Sequence, residues 1–151
     1  MHFFLRLVFL IYGLQALTKF RFTGEFKCKH KFLRSHVVVY EDDEVFDNVI
    51  SKHHYVFHTN APHMYLVEAE DTNDGLPKFL DSYFELYMII VHDCTDNGKY
   101  KLLTVDLGSY YIKDGQYDET RNIDLNNAGE WTNEVIGTKA MVMSKIFIFN
   151  V

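Results

Sequence analysis

The chain has 151 residues, 48% of them apolar and 24% charged, with only two prolines. That balance permits one domain with a real core and excludes a disordered tail. Twenty-one acidic against 15 basic residues leave a formal charge of -6, the wrong sign for a nucleic-acid binder, while 13 Phe and 10 Tyr favour pleated, half-buried surfaces.

The first element is a leader. Residues Phe3 to Ala16 set one basic residue, Arg6, before an apolar run of about ten residues closed by a small one, the pattern of a secretory signal peptide. The run falls short of the roughly 20 residues that a bilayer span needs, so the chain is not expected to be an integral membrane protein. The expected organisation is a signal peptide over 1-16, a domain over 17-130 and a C-terminal tail over 131-151. A secreted chain passes through an oxidising compartment, so Cys28 and Cys94 read first as a disulfide. It would close a loop of 94 minus 28, or 66 residues, worth about 4 kcal/mol by chain entropy. The rival reading makes Cys94 a nucleophile, with His92 two residues before it on the same strand face. A catalytic thiolate, however, needs a compartment that keeps it reduced.

From Phe20 to Cys28 apolar residues fall at every second position, which predicts a half-buried strand. Short β-branched or aromatic runs follow at Val37 to Tyr40, Tyr55 to Phe57 and Met64 to Val67. Glu44 to Lys52 reads as one short helical turn. Phe84 to His92 is the longest apolar run within the domain and predicts a buried central strand, closed by a turn at Thr95-Asp96-Asn97-Gly98. Tyr100 to Leu107 and Thr120 to Leu125 complete about seven strands, an all-β antiparallel sandwich. Ala140 to Val151 are apolar again and read as an extra edge strand or a loosely packed tail.

Two clusters invite metal chemistry. Glu41-Asp42-Asp43-Glu44 with Asp47 gathers five carboxylates in a loop, an oxygen set of the kind calcium favours, although without the glycine hinge of a dedicated calcium loop. A calcium ion there would bridge to an anionic headgroup. His53, His54, His58 and His63 form the densest histidine group, and on a strand His54 and His58 share a face, as a copper or zinc site requires. A surface role for these histidines and a structural one for His92 are the simpler readings. No phosphate loop or hydrolase triad can be assembled, so no catalytic residue, cofactor or enzymatic activity is expected.

Four blocks in order resemble the nematode transthyretin-like family. They are Gly24-Glu25-Phe26-Lys27-Cys28 with Val37 to Asp43, Glu85 to Cys94 ending in His-Asp-Cys, Tyr111-Ile112-Lys113-Asp114-Gly115, and Asn122-Ile123-Asp124-Leu125. The resemblance implies a secreted transthyretin/prealbumin-like β-sandwich in the extracellular space or at cell surfaces, with no common enzymatic activity. It also implies a disulfide, because Cys28 and Cys94 occupy the family's two cysteine positions. The expected function is an extracellular binding module for a protein or cell-surface ligand, making contact through a sheet edge or loop end, with an edge-paired homodimer as one arrangement. The alternatives are a carrier of a small hydrophobic ligand between subunits and a calcium-assisted adaptor to anionic membranes.

Overall fold

The computed structural model describes residues 16–43, 47–72, 82–134 and 136. The expected leader lies outside them except for Ala16, which is buried in the core, and the apolar stretch from Ala140 lies wholly outside. Every described regular element is a strand: β1 (Leu17–Lys27), β2 (Phe32–Glu41), β3 (Asn48–Val49), β4 (Tyr55–Asn60), β5 (Met64–Thr72), β6 (Tyr83–His92), β7 (Lys101–Tyr111), β8 (Gly115–Thr120), β9 (Ile123–Asp124) and β10 (Glu130–Trp131). Seven of these have six residues or more, and six of the seven, all but β8, correspond to strands read from the sequence.

The strands form two sheets. The smaller runs β5-β1-β8 with β9 also on β1, and the larger runs β10-β7-β6-β2-β3 with β4 also on β2. All pairs of the larger sheet are antiparallel, whereas β1 is antiparallel to β5 but parallel to β8 and β9. The antiparallel expectation thus describes the larger sheet and the β1·β5 pair.

The period of two in β1 turns Phe20, Phe22 and Phe26 inward, where they meet Val37, Val39, Met88 and Ile90 of the larger sheet in one core cluster. Two layers with a shared core make a β-sandwich. Phe20 packs edge-on against Phe84 and Tyr110 at 5.8 and 5.3 Å, and Phe26 stacks on Tyr65 at 4.2 Å. The two edge-on separations fall in the range that the aromatic quadrupole favours. β6 lies between β2 and β7, and both of its faces are buried: Ile89 and Val91 join Val38 and Tyr40 in a second cluster on the outer face, against which Ile136 packs. Trp131 in β10 and Ile136, both assigned to the tail by sequence, therefore belong to the sandwich surface.

Three local expectations need correction. The helical turn expected over Glu44 to Lys52 is not formed by its described part. Asn48 and Val49 pair instead with Glu41 and Tyr40, Ser51 bridges to Ala69, and the buried Ile50 amide donates to the Val39 carbonyl. Burial of Ile50 between two sheet margins outweighs a weak local preference. The strand expected over Thr120 to Leu125 is split into β8 and β9 at Arg121 and Asn122. β7 continues to Tyr111 through a bulge that leaves Leu107 unpaired between Asp106 and Gly108. The Arg121 guanidinium donates to the bulge carbonyls of Asp106 and Leu107 at 3.2 and 2.6 Å, and the Tyr110 hydroxyl also donates to Leu107.

Candidate interaction surface

At the end of the sandwich where β6 begins and β7 finishes, Tyr83 and Tyr111 are direct cross-strand partners. Their rings meet edge-on at 5.7 Å, yet they remain 52% and 56% exposed. Tyr117 of β8 joins them by donating its hydroxyl to the Tyr111 carbonyl at 2.9 Å, and the Lys113 ammonium sits 3.8 Å from the Tyr117 ring centroid. The loop carrying Lys113 is held from three sides. The Thr18 hydroxyl donates to the Lys113 carbonyl and accepts from its amide, the Leu17 amide donates to the Asp114 carboxylate, and the Ile112 amide donates to the Ser82 carbonyl. Two exposed tyrosines and one cation therefore stand on a fixed frame, with the half-buried Tyr117 packed beneath them against Phe20 and Tyr110.

The acidic stretch lies at this same end, since the Asp42 amide donates to the Glu85 carbonyl. Asp43 accepts from the Asn48 side chain and Asp47 from the Tyr87 hydroxyl, both at 2.7 Å, while Glu44 lies outside the described residues. Burial first, then the bond to Asp47, pushes the Tyr87 phenol well above its ordinary range, so it remains a donor. Among the described residues no group of three or more His, Cys, Asp or Glu side chains is placed to hold a metal ion.

At the opposite end Cys28 and Cys94 are joined, with Cα atoms 5.9 Å apart. His92 is buried beside the bridge and fully engaged. Its Nδ1 accepts the Cys94 amide at 3.2 Å and its Nε2 donates to the Ala128 carbonyl at 3.2 Å. Neither nitrogen is left to ligate or to act as a base, and with Cys94 oxidised the nucleophile reading has no thiol. Asn126 accepts from the Lys29 amide, Asp96 pairs with Lys29 and with Asn127, and Arg34 donates to the Asp93 carboxylate from its amide and its Nε.

The four histidines of the sequence group are dispersed. His63 is buried at the β4–β5 corner, where Nε2 donates to the His30 carbonyl and Nδ1 accepts from Thr59. His53 lies edge-on to Tyr55 and His58 edge-on to Phe32. His54 lies 5.4 Å, ring to ring, from His36 of β2, which sequence spacing did not single out.

Burial holds the imidazoles of His36 and His92 below their ordinary pKa of 6.5. An unfolded histidine binds its proton at that value and these two bind theirs only at lower pH. Their contribution is therefore intact above about pH 6.5 and lost as pH falls through the folded values. A lower urea midpoint at pH 5 than at pH 7.5 is the expected result. Glu134, whose carboxyl burial raises, acts with the opposite sign, so the loss should be undiminished in Glu134→Gln.

No family model, curated protein or solved structure matches the chain.

Proposed function

We propose that the protein is a secreted, transthyretin-like β-sandwich that serves as an extracellular interaction module, with the tyrosine end as its contact surface. The observation that carries this reading is the Tyr83–Tyr111 pair, two large exposed side chains on a frame pinned by hydrogen bonds to Leu17 and Thr18 of β1 and to Ser82 just before β6. Tyrosine offers wide contact area, few rotors and a polar tip, which is why it recurs in binding surfaces. Lys113 adds a cation at the rim, suited to a partner that presents carboxylates or backbone carbonyls. The bridge between Cys28 and Cys94 is compatible with a secretory route. No described helix is long and apolar enough to cross a membrane.

The test is quantitative capture from extracellular fluid and cell surfaces by the mature protein and by the double variant Tyr83→Ser/Tyr111→Ser. Loss of both anchors is expected to weaken binding of captured partners by about 1,000-fold, the size of two hot-spot contacts. Equal recovery on both baits, with unfolding midpoints unchanged, would move the contact surface elsewhere. Light scattering on the same samples shows whether the partner is a second copy of the chain.

A further inference from the structure

The buried polar atoms of the described residues are nearly all satisfied, and His36 is an exception. It lies in the middle of β2, 1% exposed, and its Nε2 has no hydrogen-bond partner. A buried ring nitrogen left unpaired costs about 1–3 kcal/mol, so its retention calls for a partner that protein groups do not supply. The register shows what surrounds it. His36 stands opposite Val56 on one side and Val91 on the other, with Arg34 and Val38 as its neighbours on the same face of β2. None of the flanking valines offers a polar atom, and Arg34 is engaged with Asp93, so the local charge is balanced.

Among the described residues, the imidazole that meets His36 is that of His54, which stands just before β4, two residues from Val56. The ring centroids are 5.4 Å apart and tilted by 45°. Two imidazoles on one tetrahedral ion, with metal–nitrogen bonds of about 2.0–2.1 Å, place their centroids roughly 5 Å apart. His54 is exposed, so its ring is free to rotate into alignment, while β2 fixes His36.

We propose that His36 and His54 form a two-histidine site for a divalent late first-row transition-metal ion, copper(II) or zinc(II), on the outer face of the larger sheet. The protein supplies two nitrogens and solvent completes the coordination, which makes the site open and exchangeable rather than structural. Imidazole ligands suit both ions, and the general order of affinities puts copper(II) first. The site is formed by β2 and the residue that leads into β4, and it does not depend on the tyrosine end.

Calorimetry of the mature, disulfide-bonded protein with copper(II), followed by zinc(II) competition, is the test. One ion per chain is expected. His54→Ala alters an exposed side chain and should leave folding intact, yet weaken copper(II) binding by roughly ten-fold or more. His58→Ala, four residues further on and packed on Phe32, should bind as the parent does. His36→Gln provides the second arm, with its far-ultraviolet circular dichroism checked first. If that variant unfolds, electron paramagnetic resonance of the copper(II)-loaded parent must show nitrogen coupling from two imidazoles that falls to one in His54→Ala. Absence of binding by the parent, or affinity and spectra unchanged in His54→Ala, would overturn the proposal.

Discussion

Replacing both cysteines by alanine is expected to remove about 4 kcal/mol of stability, the chain-entropy value of a closed loop of this length. In a domain of this size that lowers the melting temperature by roughly 15–25 °C. The position of the bridge explains why nothing else compensates. Cys28 follows the last residue of β1 in the smaller sheet, and Cys94 follows β6 in the larger one. One covalent bond thus ties the two layers together at one end, and the polar bonds there depend on it. The His92 imidazole takes the Cys94 amide, the Cys94 carbonyl accepts from Asn127, and the Lys29 amide next to Cys28 donates to Asn126. Guanidinium unfolding of Cys28→Ala/Cys94→Ala beside the parent measures the loss. A steeper denaturant dependence should accompany it, because the uncrosslinked chain exposes more surface when unfolded. A loss below about 1 kcal/mol would show that the layers hold this end without the bridge.

The sequence displays those strands whose inward residues are themselves apolar. In β1 the Phe20, Phe22 and Phe26 alternation names the buried face directly, and the unbroken run in β6 reflects burial on both faces. β8 is the contrary case. In Gly115–Thr120 Tyr117 is the sole apolar side chain, half-buried between exposed polar neighbours. The strand exists because β1 offers a parallel partner about a hundred residues away, and no local pattern encodes that. β3 is similar, two exposed residues made a strand by the end of β2.

The candidate sites follow the same rule. That His54 and His58 fall four residues apart, as on one strand face, was visible in local spacing, although β4 begins only at Tyr55. The partner that His54 meets, His36, is fixed by the register of β4 on β2 and was not. Tyr83 and Tyr111 lie 28 residues apart in sequence and become neighbours only through the β6·β7 ladder. Cysteine pairing, by contrast, could be argued from compartment and count, without any knowledge of register.

Gly24→Ala is expected to be the most damaging single substitution, at about 4 kcal/mol or more, a large part of the 5–15 kcal/mol typical of a domain. A Cβ added at Gly24 would lie 1.9 Å from the Arg121 carbonyl oxygen and 2.7 Å from its carbon. Backbone on both sides cannot yield as a flexible side chain would. The close approach exists because β1 changes partner at this point, from β8 to β9, and Arg121 and Asn122 fill the break. The Arg121 amide donates to Thr23, its carbonyl accepts from the buried Tyr65 hydroxyl at 2.8 Å, and Asn122 accepts from the Glu25 amide. Burial pushes the Tyr65 phenol up to about 12, so it stays a donor throughout the usual pH range. Moving Arg121 aside disturbs these bonds and draws its guanidinium from the Leu107 carbonyl in the bulge of the other sheet. Three or four hydrogen bonds at about 1 kcal/mol each, with overpacking strain of about 1–3 kcal/mol, give the predicted total. Gly98→Ala is the comparison that separates space from backbone angle. Its added Cβ meets nothing within 4 Å, and only the positive φ of 69° opposes it, which costs about 1–2 kcal/mol. Denaturant midpoints of the two variants should therefore differ clearly. Equal midpoints would mean that β1 and the β8–β9 break have room to separate, and that Gly24 is needed for its backbone angle alone.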